Sequence, residues 1–299
     1  MYFLVEKINF IAAELIKMSN TNYSGNCWGY NFDWQARAFF QPKNTPTVVA
    51  TTYIGYAFLD AYEVTKNEEY LKIARSACDF VLKDLKRTAG EAGDFAFSYS
   101  PLDKSVVYNA TLLGSKLLAR VYSFTKEEVL IAEAKKSVNF CCKKQNADGS
   151  WAYGTYEFHQ WVDNFHTGFN LECVHDYMIY SDDKSYQQHL EKGLKYYVNT
   201  FFTDDGKSKY YNNSLYPIDI HAPAQLVVTL SRLKKFFENK QLIDKVLVWT
   251  IKNMQTEKGY FIYQVKKYFS SKIPYIRWAQ AWMFFGMSEY LLNTKKIES

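Results

Sequence analysis

Long stretches of the chain place apolar residues at i, i+3, i+4 and i+7, the spacing that lines one face of a helix. Ten such stretches are legible, at residues 3–18, 47–64, 68–85, 107–124, 129–144, 165–180, 186–201, 218–237, 241–254 and 277–292. They are of two kinds. Those starting at Thr47, Val107, Phe165, Ile218 and Arg277 are apolar nearly all round and recur at roughly 55 to 60 residues, while those between them are rich in Lys and Glu on one face. A helix that is apolar all round has to be covered on every side, so the pattern predicts an inner set shielded by an outer, solvent-facing set. After the outer helices come Gly-aromatic segments, GDFAFSYSP (93–101), DGSWAYG (148–154), DGKSKYYNN (205–213) and KGYFIYQ (258–264), each read as a turn with a short hairpin or extended loop.

Helix, decorated loop and helix in repetition predict an all-α fold, a single (α/α)n toroid of about five to six helical hairpins with short β-hairpin-like loops. No Gly-Pro-rich or Ser-rich linker interrupts it, so residues 1–299 are expected to form one domain. In such a ring the loops entering the inner helices converge at one end, where a rigid scaffold can carry a site.

Composition narrows the chemistry. The net charge of +5 comes from Lys residues interspersed with acids, not from a basic block, which gives only weak support for a nucleic-acid partner and fits an acidic small substrate equally well; no nucleic-acid partner is expected. The five cysteines (Cys27, Cys78, Cys141, Cys142, Cys173) lack the spacing of a disulfide framework and read as thiols of a reducing compartment. The opening MYFLVEKINFIAAELIKMS is broken by Glu6, Lys7 and Glu14, so neither a signal peptide nor a membrane span is expected there, and the cytoplasm is the expected location. Aromatic residues reach 18%, with 25 Tyr, 22 Phe and 7 Trp, a surplus that suits interhelical packing or a groove that stacks against sugar rings.

Gln145-Asn146-Ala147-Asp148-Gly149-Ser150-Trp151 matches the Q-x3-G-x-W repeat of squalene cyclase and prenyltransferase-like toroids, and Gln255 to Phe261 is a weaker copy with Phe in the Trp place. In those families the repeat is a structural brace. The acid motif D-x-D-D of a triterpene cyclase is absent, since neither SDDK at 181 nor TDDG at 203 supplies it. Cys173 and His175, two apart on a helix, point away from each other and do not make the zinc set of a prenyltransferase, so no metal and no cofactor are expected. The other toroids of this kind, among them six-hairpin glycosidases, unsaturated glucuronyl hydrolases, polysaccharide lyases and sugar epimerases, act on carbohydrates. The stretches CWGYNFDWQARAFFQPKNTPTVVAT, FSYSPLD, DGSWAYG and VDNFHTGFN also resemble bacterial proteins associated with capsule and surface-polysaccharide biosynthesis. That resemblance implies an oligosaccharide or polysaccharide partner, with the oligomeric state left open.

Candidate site residues stand just ahead of the inner helices. Asp33, flanked by Trp28 and Trp34, is a carboxylate in an aromatic loop, where desolvation keeps a general acid protonated; a helix cap or a bond to Arg37 is the competing role. Asp163, Asn164, His166 and Thr167, beside Trp161 and with Asn170 one turn on, exceed what capping one helix requires. His221 repeats the placement one unit later, Tyr99 and Asp103 with Asn109 occupy the matching loop of an earlier unit, and Arg277 with Trp278 that of the last. Glycoside hydrolysis by Asp33 and Asp163 is the first expectation. The alternatives are a uronate lyase or C5-epimerase, with His166, His221 or Tyr99 as base and Asn164 or Arg277 as neutraliser, and a non-catalytic glycan-binding protein.

Overall fold

A computed structural model describes residues 2–36 and 39–298. Arg37, the partner of Asp33 in its competing role, lies outside the described residues. Among these there are ten α-helices: α1 (Tyr2–Lys17), α2 (Val48–Thr65), α3 (Glu68–Lys83), α4 (Tyr108–Thr125), α5 (Glu128–Lys143), α6 (Asn164–Ser181), α7 (Gln187–Phe201), α8 (His221–Arg232), α9 (Lys240–Met254) and α10 (Ala281–Glu298). Seven short strands accompany them: β1 (Trp34–Gln35), β2 (Phe40–Gln41), β3 (Arg87–Ala89), β4 (Phe95–Phe97), β5 (Ile218–Asp219), β6 (Gln264–Val265) and β7 (Ser270–Ser271). They form antiparallel pairs β1–β2 and β3–β4 and a three-stranded β5–β6–β7 sheet.

The inner and outer character read from the sequence reappears in how the helices stop. The inner helices α2, α4, α6 and α8 are followed by a left-handed residue that is not glycine, namely Lys66, Lys126, Asp182 and Lys234. The loops after the outer helices α3, α5, α7 and α9 turn instead on Gly93, Gly149, Gly206 and Gly259, all at positive φ. At Gly149 the requirement is also spatial, since a Cβ would stand 2.4 Å from the Lys192 carbonyl oxygen. The helix faces agree: α4 is buried along almost its whole length, whereas α3 buries one stripe that includes Tyr70, Ala74, Ala77 and Val81.

Two inner helices differ from expectation at their starts. The apolar spacing predicts the eighth from 218, but it begins at His221, because Ile218 and Asp219 pair with β6 and the Asp219 carboxylate accepts the His221 amide. The tenth is predicted from 277, where the chain instead makes a π-helical turn, Ile276–Gln280, before α10. The β1–β2 hairpin forms where the pattern predicts only a loop.

Two compact units make up the chain. Unit 1 takes in Met1–Lys144, Gly154–His159 and Asp176–Tyr186, and unit 2 takes in Gln145–Tyr153, Gln160–His175 and Gln187–Ser299. Within unit 1, Lys116 on α4 is buried against Asp176 at 2.9 Å, and Arg120 one turn on reaches Asp60 and Glu63. Both cations lie over the Tyr56 ring. Within unit 2, both Q-x3-G-x-aromatic segments close alike, Gln145 and Gln255 each donating Nε2 to the glycine carbonyl four residues on, at 2.9 and 3.0 Å. Gln145 also donates to the His189 carbonyl, and buried Trp151 fills the space beside Gly193. The braces are structural, as the resemblance implied. All five cysteines are buried thiols. Among the described residues no helix is long and apolar enough to cross a membrane, and no His, Cys, Asp and Glu group is placed to hold a metal ion.

Candidate functional site

The candidate residues fall in both units. In unit 2 they assemble around the mouths of α6 and α8. Asp163 precedes α6 as its cap: Oδ1 accepts the His166 amide at 2.9 Å, while Oδ2 accepts the Trp161 indole N–H at 3.0 Å and meets His166 Nδ1 at 2.7 Å. The three partners offer N–H donors, so both oxygens of this buried carboxylate are engaged. In the neutral tautomer that donates Nδ1–H to Asp163, the lone pair of His166 sits on Nε2. The His166 side chain keeps 22% of its surface exposed against 1% for Asp163, so the imidazole and not the carboxylate is reachable. Tyr153 stacks on Trp161 with centroids 4.6 Å apart and presents its edge to His166 at 4.7 Å. The excess of polar groups at the mouth of α6 is therefore one cap that also clamps an indole and a histidine.

His221 opens α8 inside an aromatic box. Phe165 lies parallel to it at 4.7 Å, Trp282 stacks at 4.2 Å, and Trp278 and Phe169 stand at 4.7 and 5.7 Å. Neither ring nitrogen makes a hydrogen bond of proper geometry. Burial, and then the nearby His166, push the imidazole down to about 3, with only a small opposing pull from the Gln225 amide one turn on. His221 is thus neutral at physiological pH.

Asp219 belongs to the same cluster and is not among the residues the sequence pattern singles out, although it stands two residues before His221. It is fully buried: Oδ1 accepts the His221 amide and the Trp278 indole N–H, both at 2.9 Å, and Oδ2 accepts Gln264 Nε2 at 2.6 Å. Burial pushes its carboxyl up to about 6, its three donors pull it down, and the charge of Asp163 adds to the rise. Tyr210, edge-on to Phe165, is held well above the ordinary phenol range by burial and by Asp163. Asn164 and Asn170 are buried, each with one amide atom lacking a partner, Asn164 accepting from Tyr197 at 3.2 Å. Arg277 is exposed.

In unit 1 the candidates do not form a comparable acid–base group. Asp33 is exposed and accepts the Lys43 amide at 2.7 Å, so the desolvation expected of it is missing. Trp28 is buried and donates its indole to the Leu15 carbonyl, which makes it a brace for α1. Both oxygens of Asp103 are taken up by Ser100 and Ser105, clipping the turn before α4. Trp34 and Tyr99 do meet, at 5.5 Å, with Phe39 against both, and Asn109 lies buried at the start of α4.

No protein-family model matches the chain, and no curated protein matches it. Solved structures do. A sugar epimerase from a ruminal bacterium superposes with a TM-score of 0.74 at 13% identity, covering 96% of this chain and 82% of that one. A D-mannose isomerase gives 0.74 at 12% identity, covering 99% and 82%. An unsaturated glucuronyl hydrolase specific for heparin gives 0.63 at 13%, covering 98% of both. At such identities the likeness shows the fold alone, and that fold is the α/α toroid that the helical pattern predicted.

Proposed function

We propose that this chain is a carbohydrate-active enzyme that moves a proton at the carbon beside a sugar carbonyl, giving epimerisation or aldose–ketose isomerisation. The observation that carries the reading is the Asp163–His166 pair, a saturated carboxylate holding a half-open imidazole by one nitrogen. His166 Nε2 takes the C–H proton of the open-chain sugar, and the electron pair moves into an enediolate. Neutral His221 is suited to donate a hydrogen bond to the oxygen where that charge develops. Rotation of the enediolate about C2–C3 turns its other face to His166, whose proton then returns to the same carbon and gives the epimer; return to the neighbouring carbon, with the O2 hydroxyl proton passing to O1, gives the isomer. Both are balanced without an oxidant or a cofactor.

The names of the epimerase and the isomerase neighbours support this reading, and the resemblance to surface-polysaccharide proteins agrees with a sugar substrate. The two carboxylates around His166 and His221 disfavour a uronate, as does the exposure of Arg277, the cation expected to neutralise one. A neutral sugar fits better.

Glycoside hydrolysis is a second reading, now with Asp219 in place of Asp33 as the acid because its carboxyl is raised to about 6. Against it, the three partners of Asp219 are placed as donors, and an acid needs a free path for its own proton.

Incubation with D-mannose, D-glucose and cellobiose in deuterium oxide, followed by NMR, separates the readings. Deuterium at C2 with a new epimer or ketose supports proton transfer, and a new reducing end without exchange supports hydrolysis. Under proton transfer His166→Ala abolishes exchange, while Asp163→Asn, which leaves the base in place but loosely held, lowers it by about 10²–10⁴-fold. Deuterium exchange that survives His166→Ala would sink the assignment.

A further inference from the structure

His221 poses a problem for any role in chemistry: it is 1% exposed, and both ring nitrogens are sealed from solvent. A group that touches a sugar has to be uncovered first. Of its four aromatic covers, Phe165 and Phe169 belong to the regular helix α6 and Trp282 to α10. Trp278 alone rides on the π-helical turn, in which the amides of Ala279 and Gln280 both converge on the Tyr275 carbonyl. Residues 272–275, which lead into it, and its own first two residues are exposed, with Ile276 at 82%. A π turn holds one residue more than an α turn, packs less well, and recurs where a helix has to adjust.

Over the imidazole the turn is held by the Trp278 indole N–H to Asp219 Oδ1, the oxygen that also accepts the His221 amide, while its last residue is clamped separately, the Gln280 side chain accepting the Phe261 amide and donating to the Phe261 carbonyl. The other Asp219 oxygen anchors the carboxylate to β6 through Gln264. Asp219 thus joins three elements, the mouth of α8, the central strand β6 of the sheet and the π turn. We infer that Asp219 is a positioning residue whose carboxylate latches Trp278, on the part of the π turn ahead of the Gln280 clamp, across His221, and that release of this bond lets the indole swing away and uncovers the imidazole for substrate. The inference rests on the proton-transfer reading for its purpose, but the latch itself is a statement about access to His221.

Its test therefore reads access and not turnover. The full chain is treated with diethyl pyrocarbonate, which modifies neutral imidazoles, and each histidine is followed by mass spectrometry with His166 as the internal reference. Trp278→Phe keeps an aromatic cover and loses the indole donor; His221 should react about fivefold faster or more, the change that losing one such hydrogen bond gives. Asp219→Ala should do the same. Asp219→Asn should stay within about twofold of the parent, since its amide oxygen still accepts both N–H groups once Gln264 turns its own amide over. Should Asp219→Ala fold poorly, Trp278→Phe carries the test alone. Unchanged His221 reactivity in Trp278→Phe overturns the latch, as does Asp219→Asn reacting as fast as Asp219→Ala. A chain inert toward every sugar leaves these outcomes readable, and a failed latch leaves the His166 assignment to product analysis.

Discussion

Asp219→Asn also tests the electrostatics of the site through stability. The Asp219 carboxyl, pushed from 3.8 up to about 6 chiefly by burial, keeps its proton in the folded chain at a pH where the unfolded chain has lost it. Between about pH 4 and pH 6 the native state binds more protons than the unfolded state, so this group makes the protein less stable as pH rises through that window. A displacement of two pH units corresponds to roughly 3 kcal/mol in all, of which about 1 to 1.5 kcal/mol accrues between pH 5 and pH 7. Asparagine does not ionise. The unfolding free energy of Asp219→Asn relative to the parent should therefore move in the variant's favour by about 1 to 1.5 kcal/mol from pH 5 to pH 7, whatever constant offset the lost charge-assisted bonds impose.

Guanidinium titrations at the two pH values and constant ionic strength measure the difference. His221 contributes with the opposite sign, since a folded-state value near 3 removes stability as pH falls below the ordinary 6.5, but it is present in both proteins and drops out of the comparison. Asp163, His166, Tyr210 and Tyr263 also face the site and are common to both. A relative stability that is the same at pH 5 and pH 7 would show that Asp219 ionises as in water, and that its surroundings do not desolvate it.

Other substitutions probe the frame. Trp151→Ala, which empties a buried site beside Gly193, should cost about 3–5 kcal/mol in a denaturant titration. Lys116→Ala leaves the mostly buried Asp176 carboxylate without its cation and should cost about 3–5 kcal/mol, whereas replacing Lys116 and Asp176 together by apolar residues should cost much less. Gly149→Ala combines a φ of +95 with a Cβ contact of 2.4 Å to a backbone oxygen, so its melting temperature should fall by more than an ordinary surface glycine change, about 1 kcal/mol or more in free energy.

The fold was legible because its code is repetitive. Alternating inner and outer helices, an aromatic loop after each outer helix and the Q-x3-G-x-W brace are local patterns, and all the expected helices but the eighth and tenth start within about one residue of where they form. The two exceptions are informative: residues 218–220 read as helix by apolar spacing, but pairing with β6 won, and 276–280 read as helix but took in one extra residue. The site was legible in part for the same reason. Asp163, His166 and Trp161 are neighbours in sequence, so their excess of polar groups showed at once. Asp33 misled because flanking tryptophans say nothing about which way a carboxylate points; it faces solvent, where the Lys43 amide takes it. Asp219 was missed because its partners, Gln264 and Trp278, lie 45 and 59 residues away, and no local pattern announces them.

A difference of one residue in spacing separates the roles of the two histidines. At α6 the carboxylate stands three residues before the imidazole, the reach at which a capping side chain meets the first turn, and Asp163 takes both the amide and the ring of His166. At α8 it stands two residues before, on β5 instead of at the cap, and Asp219 takes the amide of His221 but not its ring. Each carboxylate also accepts one indole N–H, from Trp161 at 3.0 Å and from Trp278 at 2.9 Å, so the two mouths are built from the same parts. The first arrangement fixes a histidine by one nitrogen and leaves its ring partly exposed; the second leaves a histidine without a counter-charge in an aromatic box that keeps it neutral. Under the proposed proton shift the two unlike environments divide the work, His166 carrying the proton and neutral His221 steadying the oxygen.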